Sequence, residues 1–108
     1  MVTDREPQRD AVFQALSDPT RRKILRILRG GHQTVGGIAA NFRMSRPAIS
    51  KHLRLLHHAG LVATRKQGTA SICALDPEPL RLVQDWLRDY ESFWSDSLKS
   101  LKSHMEGQ

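Results

Sequence analysis

The 108-residue chain predicts a mostly α-helical domain that carries one small β-hairpin and ends in a long helix. Three observations predict it. Apolar residues recur at three- and four-residue spacing over most of the chain, as in helices with one buried face. These stretches are bracketed by residues that start or stop helices: Asp18 with Pro19, Thr34, Ser45 with Pro47, and the stops Gly30, Gly31 and Gly60. Between residues 61 and 75 the helical period is lost, and two short runs flank Lys66, Gln67, Gly68 and Thr69, as in a hairpin.

Residues 1–8 read as a flexible polar arm. From Asp10 onward Val12, Phe13 and Leu16 share one helical face, giving a short first helix that ends near Ser17. Asp18 is placed to cap a second helix, and Pro19 suits its first position, where the missing N–H has no helical partner. Ile24, Leu25, Ile27 and Leu28 supply the buried face before the Gly30–Gly31 stop. Thr34 can cap a third helix running to Phe42, with Val35, Ile38, Ala39 and Phe42 apolar. Gly36 and Gly37 each weaken it by about 1 kcal/mol relative to Ala, so it needs tertiary support and lets a neighbouring backbone approach. Arg43 and Met44 lead to Ser45, the cap of a fourth helix whose Ile49, Leu53 and Leu56 form one stripe. After the hairpin, Leu61 to Leu75, the run of Asp76, Pro77, Glu78 and Pro79 breaks the chain, and residues 79–105 read as one long helix. The expected units are the arm 1–8, a domain 9–76 and the terminal helix within 77–108.

Hydrophobic residues make up 39% and charged residues 26%, values ordinary for a soluble domain. No apolar run approaches the roughly 20 residues of a membrane span, and the first residues lack the apolar core of a signal peptide, so a cytoplasmic location without membrane contact is expected. The lone Cys73 can form neither an internal disulfide nor a thiolate cluster, and on an apolar strand it reads as a small buried hydrophobe. The net charge of +6 is unevenly spread: residues 20–66 hold eleven Lys or Arg and no Asp or Glu, whereas the flanks hold six basic and eleven acidic residues. A solvated face mixes both signs, so this stretch points to a polyanionic partner, duplex nucleic acid before an anionic membrane.

Two short helices joined by a tight turn and followed by a hairpin with a basic tip make a winged helix-turn-helix. In such readers the second helix enters the major groove with its first residues at the base edges. With Ile49, Leu53 and Leu56 inward, Arg46, Ser50, Lys51 and Arg54 project outward or along the flank. Arg46 sits in the first turn, where a cation opposes the helix macrodipole, a placement that suits a waiting base or phosphate. Bidentate Arg–guanine pairing contributes about 1–3 kcal/mol of discrimination. Lys51 and Arg54 suit backbone contacts that set register.

Leu80, Leu87, Trp94 and Leu101 recur every seven residues, with Val83, Trp86, Tyr90, Phe93, Leu98 and Met105 widening the stripe. An isolated helix would leave it wet. The expectation is self-association through Val12, Phe13 and Leu16 of the first helix and Val83, Trp86, Leu87, Tyr90, Phe93, Trp94, Leu98 and Leu101 of the last. A two-fold pair would set the reading helices about 34–36 Å apart on an inverted repeat.

The segments ALSDPTRRKIL and SRPAISKHLRLLHHAGLV, within residues 11–76, resemble the ArsR-type winged-helix repressors of bacteria and archaea. The resemblance implies a homodimer that binds an operator overlapping a promoter. It places Ser45, Arg46, Pro47, Ala48, Ser50 and Lys51 at the start of the recognition helix and Arg65, Lys66, Gln67, Gly68 and Thr69 in the wing; Arg43 and Arg54 flank the same surface. Many members sense metals, and this chain departs from them. The third helix has no cysteine, residues 84–99 have no histidine, and adjacent His57 and His58 point about 100° apart. No metal site and no cofactor are expected, and the sequence does not specify an inducer. A similar branch carries a WxxxYxxFWxxxLxxL tail, here Trp86, Tyr90, Phe93, Trp94, Leu98 and Leu101. Alternatives are a winged-helix module that binds protein and a redox-responsive repressor using Cys73. A hydrolase built on Asp85, Asp89 and Glu91 would lack a His or Cys partner and a phosphate loop.

Overall fold

In a computed structural model, which describes residues 5–107, the chain forms α1 (Arg5–Leu16), α2 (Pro19–Arg29), β1 (Gln33–Thr34), α3 (Val35–Ala39) and α4 (Arg46–His58). These are followed by β2 (Val62–Gln67), β3 (Ala70–Leu75), α5 (Leu80–Arg88) and α6 (Glu91–Glu106). The three side-chain caps form as their residue types require. Asp18, Thr34 and Ser45 hold extended backbone and accept from the N–H groups of Arg21, Gly37 and Ala48, each satisfying one orphan donor of a first turn. Gly60 closes α4 with φ +81°, a left-handed conformation that favours glycine.

One core unites α1 to α4 with the sheet. Val12, Ile24, Ile38, Ile49, Leu56 and Leu61 are fully buried, and Leu28, Leu53, Val62 and Cys73 nearly so. Leu16, Leu25, Val35, Phe42, Leu75, Leu80 and Val83 seal its margin.

Four sequence expectations change. The first helix starts at Arg5 rather than Asp10, so only residues 1–4 of the expected arm remain, and they lie outside the described residues. Pro7 is no obstacle in a first turn, and Glu6 there suits the helix dipole. Apolar spacing misses that turn because it buries little. The third helix ends at Ala39 instead of continuing to Phe42. The sheet has three strands in the order β1-β3-β2, because Gln33 and Thr34 pair with Cys73 and Ile72. A two-residue strand has too few positions to show alternation.

The fourth change is at the C-terminal end, where the single helix expected over residues 79–105 is two. Asp89, Tyr90 and Phe93 donate to the carbonyls of Trp86, Leu87 and Tyr90, three residues back, which tightens the chain and breaks the four-residue ladder. No Pro or Gly marks the place in sequence. The break coincides with an aromatic series in which Phe13 of α1 meets Trp86 edge-on at 5.3 Å, Trp86 lies 5.0 Å from Tyr90, and Tyr90 lies 6.5 Å from Phe93.

Candidate nucleic-acid interface

The turn between α3 and α4 is anchored before any outward residue is placed. Lys23 of α2 donates from Nζ to the Asn41 carbonyl at 3.0 Å and stands 4.7 Å from the centre of the Phe42 ring. Asn41 Nδ2 donates to the Gly37 carbonyl at 2.9 Å. Ser45 Oγ then accepts from the Ala48 N–H at 3.2 Å and starts α4. With Ile49, Leu53 and Leu56 turned to the core, Arg43, Arg46, Pro47, Lys51 and Arg54 are exposed, while Ala48 and Ser50 are half-buried.

The wing turns on Gly68 at φ +63° with no positive φ at Thr69, the type II′ pattern whose twist matches paired strands. Arg65 faces Ile72 across the hairpin, Lys66 faces Ser71 and Thr64 faces Cys73. Facing residues share a side of the sheet and successive residues alternate. Thr64, Ser71 and Cys73 line a cleft of about 260 Å³ with Ser50, Arg54 and His57 of α4, so Lys66 belongs to the side turned to that helix. Arg65 and Gln67 belong to the other side. A second cleft, about 530 Å³, runs between α3, the first turns of α4 and the hairpin, lined by Arg46, Ser50, Thr69 and Ser71 among others. Arg46, Ser50 and Thr69 are therefore brought together on one cleft. Arg65 and Gln67 stand apart from them.

Charge is distributed in two ways. Arg43, Arg46, Lys51, Arg54, Arg65 and Lys66 take part in none of the ion pairs among the described residues, which are Arg9–Glu6, His52–Asp18, Arg81–Glu78 and Arg88–Asp85. The first part of the acid-free stretch is instead used by the fold. Arg21 is buried, donating from Nε to the Ala15 carbonyl and from Nη2 to the Gln14 carbonyl, each at 2.9 Å. Arg22 donates to the Leu16 carbonyl at 2.7 Å. These guanidinium groups donate to the last carbonyls of α1, beyond the four-residue ladder, and the Gln14 carbonyl also accepts from the Ser17 N–H and hydroxyl. Buried Arg21 thus leaves the set of cations that the sequence suggested for a polyanion, while Arg22 and Lys23 stay exposed.

Arg21 also reaches α4. Its Nη1 stands 3.2 Å from His52 Nδ1. Asp18, capping α2 beside them, has its carboxyl held below the usual range, chiefly by the Arg21 N–H that it accepts; burial opposes this, and the nearby Arg21 and His52 lower it further.

At the far end of α4, His57 Nε2 and Thr64 Oγ1 are hydrogen-bonded, and Thr64 Oγ1 lies 3.7 Å from Cys73 Sγ. This chain ties the helix to the base of the wing, a link that sequence spacing does not reveal because its members are on three elements. Cys73 is 1% exposed, so the redox alternative lacks the accessible thiol that it needs. Asp85 pairs with Arg88 at 3.3 Å on the solvated side of α5. Among the described residues no three His, Cys, Asp or Glu side chains group as they would around a metal ion, and no helix is long and apolar enough to cross a membrane.

The residues expected to meet a second chain divide. Val12 is fully buried in its own core and cannot reach a partner, because the first-helix face read as a seam is the face that the domain needs for itself. Leu16 and Val83 seal that core, and Phe13 is half-buried on Trp86. Trp86, Leu87, Tyr90, Phe93, Trp94, Leu98 and Leu101 remain exposed, with Phe93 at 70% and Leu98 at 63%. Trp86, Leu87, Tyr90, Phe93 and Trp94 line an apolar cleft of about 430 Å³ on this face.

Residues 18–64 match the sequence model of a family described as bacterial regulatory protein, arsR family. The chain is 40% identical over 79 residues to the transcriptional repressor SdpR of Bacillus subtilis, covering 73% of this chain and 88% of that protein. It is 41% identical over 98 residues to the HTH-type transcriptional regulator Rv2034 of Mycobacterium tuberculosis, covering 91% and 87%. Among solved structures, an ArsR family transcriptional regulator superimposes with a TM-score of 0.78 at 38% identity, covering 88% of this chain and 97% of that one.

Proposed function

The chain belongs to the arsR family of bacterial regulatory proteins, winged-helix DNA-binding transcriptional regulators, and from that premise we propose that it is a homodimeric repressor of an inverted-repeat operator. One observation carries the reading. The first turns of α4 and the wing line two clefts that share Ser50 and Ser71, and the cations on or beside them, Arg46, Arg54 and Lys66, take part in no ion pair among the described residues. Such cations suit phosphate and base edges, because binding exchanges condensed counterions for them. Arg46, Pro47, Ala48 and Ser50 approach the bases, while Arg43, Ser45, Lys51, Arg54, Lys66 and Thr69 hold the backbone. Arg65 and Gln67, on the outer side of the wing, contact a flanking phosphate or none.

The exposed face of α5 and α6 supports pairing of two chains. It presents large apolar side chains that a lone molecule leaves in water, each worth about 1.5–3 kcal/mol when buried. No inducer is part of the proposal. Repression set by protein abundance alone fits the same residues.

The test is binding to a duplex of the protein's own promoter by fluorescence anisotropy over a salt series. Affinity should fall by about 10³–10⁵ between 50 and 200 mM salt if the dimer neutralises six to ten phosphates. Arg46→Ala should lose about 1–3 kcal/mol of preference for the operator over a scrambled duplex. Lys66→Ala should weaken both duplexes alike and flatten the salt slope. Wild-type behaviour of both variants would refute the assignment of these faces, and indifference to every duplex would favour a module that binds protein.

A further inference from the structure

A groove of about 250 Å³ lies between α2, the end of β3 and the start of α5. Its floor is apolar, made by Leu16, Leu25, Leu75 and Leu80, each partly buried against the core. The rest of its lining is three arginines, Arg22, Arg26 and Arg29, with no carboxylate among them. Spacings of four and three residues put these three on one side of α2. All are exposed, and they take part in none of the ion pairs among the described residues. The bond from Arg22 to the Leu16 carbonyl holds that guanidinium beside the floor and uses one of its five N–H donors.

Two features set the groove apart from the surface that faces DNA. Lys23, about 100° round the helix from Arg22, is the α2 cation that reaches the turn before α4, whereas the groove opens toward β3 and α5. A phosphate backbone, moreover, has no apolar body to cover four leucines. The last turn of a helix favours cations, which accounts for the charge of Arg26 and Arg29 but not for the half-buried leucines beside them.

We propose that the groove binds a small amphipathic anion, a carboxylate on a short apolar chain, with the chain on the leucines and the carboxylate on the guanidinium groups. Like charges three and four residues apart repel, and a carboxylate between them offsets that repulsion. The guanidinium fork also matches the two carboxylate oxygens in shape and charge. The volume is below the 300 Å³ or so at which drug-sized sites begin, so a chain of several carbons or a single ring is the size that fits. The proposal does not depend on the DNA reading.

Octanoate is the probe, titrated into the full-length protein by calorimetry, with acetate and octanol as the head and the tail alone. Octanoate should saturate at one per chain and shift the methyl resonances of Leu25 and Leu75. Acetate, with no chain to bury, and octanol, with no charge, should each bind more than about tenfold more weakly. Arg26→Gln combined with Arg29→Gln should lower octanoate affinity about tenfold or more. Unchanged affinity in that double variant, or shifts confined to Trp86 and Trp94 of the other apolar cleft, would overturn the proposal. So would a flatter salt dependence of operator binding in the double variant, because it would assign these arginines to phosphate. Octanoate seated in the groove of a protein that binds no duplex would support the proposal and refute the repressor reading.

Discussion

Arg21 carries more of the fold than any other single polar residue. One guanidinium closes the end of α1 through the Gln14 and Ala15 carbonyls and meets His52 of α4, so three helices share one cation. Removing it takes the guanidinium donor from the buried bond to the Ala15 carbonyl, while the Gln14 carbonyl keeps Ser17. Arg21→Met should cost about 2–4 kcal/mol in urea unfolding although it adds apolar surface, and a loss below about 0.5 kcal/mol would mean that water replaces those bonds. Asp18 beside it sets a pH dependence. Its carboxyl titrates lower in the folded chain than in the unfolded one, so it adds stability that is complete above the unfolded value and lost as pH falls through the folded one. Asp18→Asn should therefore be less stable than wild type near pH 7, and the gap should close in the acid range below about pH 4. Thermal melts at several pH values check the sign, and a gap that widened on acidification would contradict it.

At the scale of elements, α4 is the most completely specified part of the molecule. Its cap, its first-turn proline, its buried stripe and its glycine stop agree with one another, and each is legible in the sequence. Ser45→Ala should cost about 1 kcal/mol through loss of the Ala48 bond, and should weaken operator binding further because it loosens the turn that carries Arg46. Circular dichroism melts and anisotropy titrations separate the two effects, and a stability loss with unchanged affinity would limit Ser45 to capping. α3 and the wing are different. Their own segments are too short to fix their conformation: β1 is held by pairing with β3, about forty residues on, and the base of the wing by the bond from His57 to Thr64. The Gly36–Gly37 pair did signal a close approach, but the sequence suggested a backbone, and what arrives is a side chain.

The whole molecule is elongated, about 64 by 41 by 20 Å, with a radius of gyration of 18.4 Å where a compact chain of this length has about 13 Å. The excess comes from α6, which meets the rest chiefly through α5. A 16-residue helix with Phe93, Leu98 and Leu101 in water is marginal by itself, so a second chain is the natural cover. Phe93→Glu would place a charge in that seam. It should yield a monomer by sedimentation with the α1–α5 domain still folded, and lower operator affinity more than tenfold, because one half-site no longer holds the other in place. A wild-type monomer, or a dimeric Phe93→Glu, would count against pairing through this face.

What the sequence determined by itself was local: helix starts and stops, the inward stripe of α4, a hairpin around Lys66 to Thr69 and the family to which such a pattern belongs. These follow from backbone sterics and apolar spacing, which act over a few residues. The tertiary structure decided how residues with the same local look were used. It buried Val12 and left Phe93 in water, divided Lys66 from Arg65 across the wing, buried Arg21 against the end of α1, and broke the last helix at Tyr90. The reason is that a cation or an apolar side chain is defined by what lies opposite it, and here the opposite group comes from another element of the chain.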